Sequence, residues 1–252
     1  MVNIKYYLVT YDQCSQKAVA NLTDDERNKV NCYAVVATKL KSITAKINIT
    51  KEWKLPWHDN RYQFLNYYEY SLFPHIYKNP ELHEGLTHIG ILQSDVLFAK
   101  NSINDMISKL EINSNKIFYI LLRKSDVLYF TDNQLEKICN YMENKLDIKI
   151  DINKISNEWI CETMAIAPKE IFLKFAKYIY DNQYEIENML ITNRWGLMNT
   201  IKHRISGIIE RMWGIYLVSC GMPIEQMNVI HDRDSYEHQH LIDKQKYLNN
   251  TL

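Results

Sequence analysis

Short blocks of near-continuous apolar, β-branched residues alternate along this chain with longer stretches in which apolar residues recur every third or fourth position. The first pattern marks buried strands and the second amphipathic helices. Residues 3–10, NIKYYLVT, form the first strand block, and the polar YDQCSQ ends it. DDERNKV suits a short helix, and NCYAVVATKL, 31–40, is a second strand. TKEWKLPWHDN carries a Pro and two Trp and reads as an irregular connection. From Tyr62 to Lys78 the residues Phe64, Leu65, Tyr68, Leu72, Phe73 and Ile76 recur at helical spacing, with an interruption expected near Pro74. HIGIL, 88–92, is the third strong strand, and SINDMISKLEI predicts a helix with Ser102 as N-cap.

The rhythm continues downstream. KIFYILLRKSDVLYF contains at least one strand, and TDNQLEKICNYMENKL is an amphipathic helix with Thr131 or Asp132 as cap. NEWICETMAIAP, ended by Pro168, predicts a strand leading into the helix KEIFLKFAKYIYDN. Residues 199–219 are apolar at three and four spacing and stop at Gly221 and Pro223, after which MNVIH gives a short last strand. Strands alternating with helices predict an α/β fold. No repeat, linker or low-complexity block divides the 252 residues, so a single domain is expected.

Composition narrows the chemistry. Thirty Lys and Arg balance thirty Asp and Glu, which removes the usual electrostatic reason to expect nucleic acid or an anionic membrane as partner. The five cysteines are odd in number, far apart in sequence and without a C-x-x-C pair, as in a reduced cytosolic protein. The N-terminus MVNIKYYLVTYDQ lacks a signal-peptide apolar region, and no apolar run is long enough to span a bilayer. The expectation is a soluble, cytoplasmic protein. Only six glycines occur, and none forms a dinucleotide-binding or P-loop pattern.

One carboxylate stands out. THIGILQSDVLF runs from an apolar strand into Asp95 and back into apolar residues. Ligands of open α/β sheets collect at the carboxyl ends of strands, where Asp95 is expected. A carboxylate there can hold the Mn²⁺ or Mg²⁺ that neutralises a nucleotide diphosphate; it can equally be a turn acid. The triplet Gln93-Ser94-Asp95 resembles the D-x-D of metal-dependent glycosyltransferases of the GT-A fold, with an amide in place of the first acid. Gln93 could still bond a ribose hydroxyl or a metal-bound water. KSDVLYF repeats the Ser-Asp-Val-Leu string at Asp126, where a strand-end or turn acid explains it.

Longer segments extend the resemblance. DNRYQFLNYYEYSLFPHIYKN, 59–79, followed by THIGILQSDVLF, resembles bacterial capsular-polysaccharide glycosyltransferase-like domains. In these an Asp-Asn turn, an Asn-Tyr-x-Glu segment and a Lys-Asn helix end precede a Gly-containing strand. RISGIIERMWGIYL, 204–217, looks like that family's Arg-(apolar)-x-Gly-x-x-x-Glu-Arg helix, and the overall plan is similar to the N-terminal GT-A domain of a chlorella-virus rhamnosyltransferase. The resemblance implies a three-layer α/β sandwich with a central, mostly parallel sheet. It also implies a nucleotide-binding half over about 1–98, an acceptor half over about 99–235, and a tail at 236–252.

The activity so implied is transfer of a hexose or deoxyhexose from a nucleotide-diphosphate donor, a UDP-sugar first, to a surface or capsid glycan. Thr10 and Tyr11 would lie near the base, and Asn60 and Arg61 near the phosphates or donor sugar. Arg61 offers a fork of donors suited to diphosphate oxygens; a surface helix-start residue is the alternative. His231, at the end of MNVIH, would join Asp95 as a second metal ligand, or be one more histidine of a tail that also holds His238 and His240. An inverting transferase needs a base for the acceptor hydroxyl. Glu162, among apolar residues that would raise its pKa, is preferred; Glu210 is the second choice, or half of a structural ion pair with Arg211. Trp53, Trp57 and Tyr62 could stack on sugar or cover the sheet edge, whereas Trp195, Trp213 and Tyr216 suit a helix core. Two other classes compete: a non-catalytic nucleotide- or glycan-binding module, made credible by Gln93, and a nucleotidyltransferase, which needs a second carboxylate such as Asp126 beside Asp95.

Overall fold

A computed structural model describes residues 1–10, 13, 14, 16–35, 42–65, 67–93, 96–119, 132–157, 164–193, 204–227 and 229–231. In chain order the strands are β1 (Ile4–Thr10), β2 (Gln13–Cys14), β3 (Val30–Ala34), β4 (Ser42–Ile43), β5 (Asn48–Lys51), β6 (His88–Gln93), β7 (Val96–Phe98), β8 (Ile117–Tyr119), β9 (Ala165–Pro168), β10 (Ile224–Gln226) and β11 (Val229–His231). The helices are α1 (Asp24–Arg27), α2 (Arg61–Phe64), α3 (Leu72–Lys78), α4 (Ser102–Ile112), α5 (Asp132–Leu146), α6 (Ile152–Asn157), α7 (Lys169–Asn193) and α8 (Arg204–Ser219).

Seven strands form the central sheet in the order β10-β8-β9-β6-β1-β3-β5. Its strands run parallel except β9, which lies antiparallel to both β6 and β8. The near-continuous apolar character of β1 follows from burial on both faces. Tyr7 and Val9 enter one core with residues of α3, α7 and α8, while Ile4, Tyr6 and Leu8 enter another with Ile103, Met106 and Leu110 of α4. Helices thus cover both faces, and the architecture is the three-layer α/β sandwich expected. Gly90 of β6 sits directly across from Tyr6 of β1. A Cβ at that position would lie 2.4 Å from the Tyr6 ring, so only glycine lets the ring lie over the strand.

The elements depart from the sequence expectation at a few places. β5, with the polar sequence NITK, is the edge strand of the sheet and has a largely exposed burial pattern, so it carries no apolar run to reveal it. The expected helix over 62–78 is two helices, α2 and α3, separated by a 3-10 turn at Tyr68–Ser71. Pro74 does not interrupt it. Pro74 occupies the first turn of α3, where a backbone N–H has no intrahelical acceptor to lose. Ser102 is the first helical residue of α4 and is buried; the N-cap is Asn101, in the left-handed region at φ 60°. Pro168 is the last residue of β9 rather than its terminator.

Candidate functional site

The order of strand addition locates a crevice. From β1 the chain adds β3 and β5 on one side, then crosses to place β6 on the other. The carboxyl ends of β1 and β6 therefore flank a topological switch point, where diverging loops leave room for a ligand. Gln93, the last residue of β6, pairs with Val9, and Thr10 is the last residue of β1. Thr10 is buried, and its carbonyl accepts the Val35 N–H at 2.9 Å.

A second layer closes over these strand ends. Gln93 Nε2 donates to Glu69 Oε1 at 3.0 Å. Glu69 belongs to the turn at Tyr68–Ser71, in which Tyr68 has φ 50°, a left-handed conformation costly for a residue with a bulky side chain. Glu52, fully buried just past β5, holds that turn in place. Ser71 Oγ lies 2.8 Å from Glu52 Oε2 and 2.9 Å from the Tyr68 carbonyl oxygen. Gln63 Nε2 donates to the other Glu52 oxygen at 2.8 Å and to the Val35 carbonyl at 3.1 Å. The segment from α2 to the turn is thereby pinned to the carboxyl ends of β3 and β5.

A separate network ties the same segment to α7. Arg61 Nη1 donates to both oxygens of Glu187, at 2.9 and 3.1 Å, and Nη2 donates to Gln183. The guanidinium also lies over the Tyr184 ring, 4.3 Å from its centroid. Tyr67 donates to Glu187 Oε1 at 2.8 Å, and Tyr62 donates to Gln183 Oε1 at 2.5 Å. The Arg61 charge is thus committed to α7, and Asn60 beside it is exposed at the start of α2. Tyr62 is buried, and Trp57 packs against His75 and Tyr180, so both belong to the core rather than to a sugar platform. Trp213 and Tyr216 are core residues, as expected.

The expected metal ligands are placed by strand register. β11 pairs antiparallel with β7, with His231 opposite Val96, the residue that follows Asp95 in sequence. Tyr11, Ser94, Asp95, Asp126, Glu162 and Trp195 lie outside the described residues. Among the described residues no three His, Cys, Asp or Glu side chains come together as a metal site. Glu210 is half-buried on α8, its Oε2 3.6 Å from Arg211 Nη1. α8 packs against the turn that carries Glu69. Three segments distant in sequence, 59–79, 88–98 and 204–217, thus converge at the end of β6. Glu69 and Glu52 were not singled out by sequence reasoning. The available signal was an acid embedded in a run of tyrosines, meaningful only once the turn is seen to reach Gln93.

The sequence matches no protein-family model and no curated protein. Among solved structures, the apo WbbM bifunctional glycosyltransferase superposes with a TM-score of 0.59 at 11% identity, over 90% of this chain and 45% of that one. The chain has a glycosyltransferase fold. It spans less than half the length of that protein. Core-mannan synthase A from Aspergillus fumigatus in its Mn/GDP form (10% identity, 97% and 82% covered, TM-score 0.45) and apo mouse xyloside xylosyltransferase 1 (10%, 86% and 84%, 0.34) align too loosely to carry an argument. With its central, mostly parallel sheet, the chain fits the GT-A plan. Among the described residues no helix is long and apolar enough to cross a membrane.

Proposed function

We propose that this protein is a metal-dependent glycosyltransferase that moves a sugar from a nucleotide-diphosphate donor, a UDP-sugar first among candidates, to a glycan acceptor of a cell surface or capsid. The observation that supports it best is the β7–β11 pairing, which sets His231 opposite the residue after Asp95 beside the switch-point crevice. An imidazole and a carboxylate with diphosphate oxygens and water form a donor set that suits Mn²⁺ or Mg²⁺. In this reading Asp95 and His231 hold the cation, which when bound neutralises charge on the leaving diphosphate.

The chain's own residues do the rest. Thr10 and Tyr11 border the base, and Gln93 and Ser94 bond the ribose or donor sugar at the end of β6. Asn60 borders the donor, while Arg61, anchored on Glu187, holds that wall in place. Glu162, or failing it Glu210, takes the acceptor hydroxyl proton as that oxygen attacks the sugar carbon. Asp95→Ala is expected to abolish metal-dependent donor hydrolysis and transfer while leaving the melting temperature within a few degrees of wild type. Unchanged turnover would remove the metal assignment.

The amide at Gln93, where D-x-D transferases carry an acid, favours a second reading: a nucleotide- or glycan-binding module without turnover. Calorimetry with UDP, with and without Mn²⁺, followed by a hydrolysis assay, separates the two. Binding without hydrolysis or transfer favours the module.

A further inference from the structure

The carboxylate nearest the switch point among the described residues comes from outside the Gln93-Ser94-Asp95 triplet. Glu69 reaches the end of β6 from a turn twenty-four residues upstream in sequence, and Gln93 Nε2 grips its Oε1 at 3.0 Å. The arrangement is built rather than incidental. Tyr68, immediately before Glu69, adopts φ 50°, and the turn is locked through Ser71 to the buried Glu52. Such a backbone persists only where surrounding contacts enforce it. α8 backs the same turn from the other side.

An ionised carboxylate has about four lone-pair positions, more than one amide N–H occupies. It repels diphosphate oxygens and attracts hydroxyl groups, and a nucleotide sugar offers hydroxyls on both its ribose and its donor sugar. We propose that Glu69 is a substrate-binding carboxylate that accepts hydroxyl hydrogen bonds from the nucleotide sugar, with Gln93 as the amide that holds it in position. The inference rests on the nucleotide-sugar reading above and deepens it. Position 93 then needs no acid: its task is to orient the carboxylate that arrives from the Tyr68–Ser71 turn. Two elements distant in sequence thereby share the work of reading the donor.

The test is isothermal titration calorimetry on wild type, Glu69→Ala and Glu69→Gln, with UDP, 2′-deoxy-UDP and UDP-glucose in Mn²⁺, and with the GDP series in parallel. Melting curves of each variant control for folding. Glu69→Ala is expected to weaken binding by about 10- to 100-fold, as for loss of a hydrogen bond to a charged group. Glu69→Gln keeps an acceptor oxygen and should fall between. If the hydroxyl belongs to ribose, UDP binding weakens while 2′-deoxy-UDP binds wild type and Glu69→Ala alike. If it belongs to the donor sugar, UDP binding holds and UDP-glucose binding weakens. Mn²⁺ affinity in the presence of nucleotide, read by electron paramagnetic resonance, should stay within about twofold of wild type under either source. Three results overturn the proposal: a collapse of Mn²⁺ affinity in Glu69→Ala, which makes the residue a cation ligand; unchanged binding of every ligand in Glu69→Ala; or equal losses for UDP and 2′-deoxy-UDP with no further loss for UDP-glucose. A wild type that binds no nucleotide and no nucleotide sugar overturns the glycosyltransferase reading itself, and this inference with it.

Discussion

Gly90 shows how one residue sets the spacing of the central strands. Its missing Cβ is what lets the Tyr6 ring lie over β6, where Tyr6 Oη donates to Met106 Sδ at 2.6 Å. Gly90→Ala forces a buried ring with no room to retreat, and overpacking of this kind costs about 1–3 kcal/mol. Urea denaturation should show that loss; an unchanged midpoint would mean that Tyr6 can move aside. At this scale the sequence was legible in part. Gly90 and Asp95 stood out because each breaks an apolar run, whereas Glu69 and Glu52 lay in polar surroundings that gave them no contrast. Cys14 and Cys32 make the same point. They are far apart in sequence, yet both are buried and share a thiol hydrogen bond that draws the Cys14 pKa down and pushes that of Cys32 up.

Among elements, the segment from β5 to α3 carries the largest departure. Helical spacing of apolar residues from Tyr62 to Lys78 is real, but the chain breaks at the Tyr68–Ser71 turn because a buried acceptor outside the segment claims its polar groups. Glu52 receives Gln63 on one oxygen and Ser71 on the other, and its second oxygen lies 3.4 Å from His75 Nδ1. Glu52→Ala strips these groups of their partner in a site closed to water. A loss of about 3–5 kcal/mol follows for removing one member of such a buried set. Hydrogen exchange should accelerate across 59–71 well before the sheet opens. If protection there stays wild-type, the staple does not hold the turn. Periodicity sees only which faces are apolar, so it could not register a polar clamp between elements.

For the whole molecule, acid is the condition that tests the packing. Burial, seconded by the neighbouring His75, lowers the pKa of His58; burial, seconded by Lys169, lowers that of His83; burial alone lowers that of His88. The folded state therefore prefers these imidazoles neutral, while the unfolded chain protonates them near pH 6.5. Stability is expected to be full above about pH 6.5 and to fall as the pH drops below it, because protons then bind the unfolded state more readily. Melting temperatures measured from pH 8 to pH 5 should decline over the lower half of that range. His88→Gln should flatten the slope, and a profile already flat in wild type would show that the folded protein accommodates the charged rings.

The alternation of buried runs and amphipathic stretches determined by itself that this is an α/β protein, because the period of apolar positions reflects which backbone geometry can bury them. It also located the strand end that carries Asp95. Only the tertiary structure decided which strands are neighbours, that β9 runs against the others, and that β11 returns beside the residue after Asp95. Strand order and polar clamps depend on contacts between residues far apart in the chain. A local pattern records what each residue buries, and it is silent on what each residue meets.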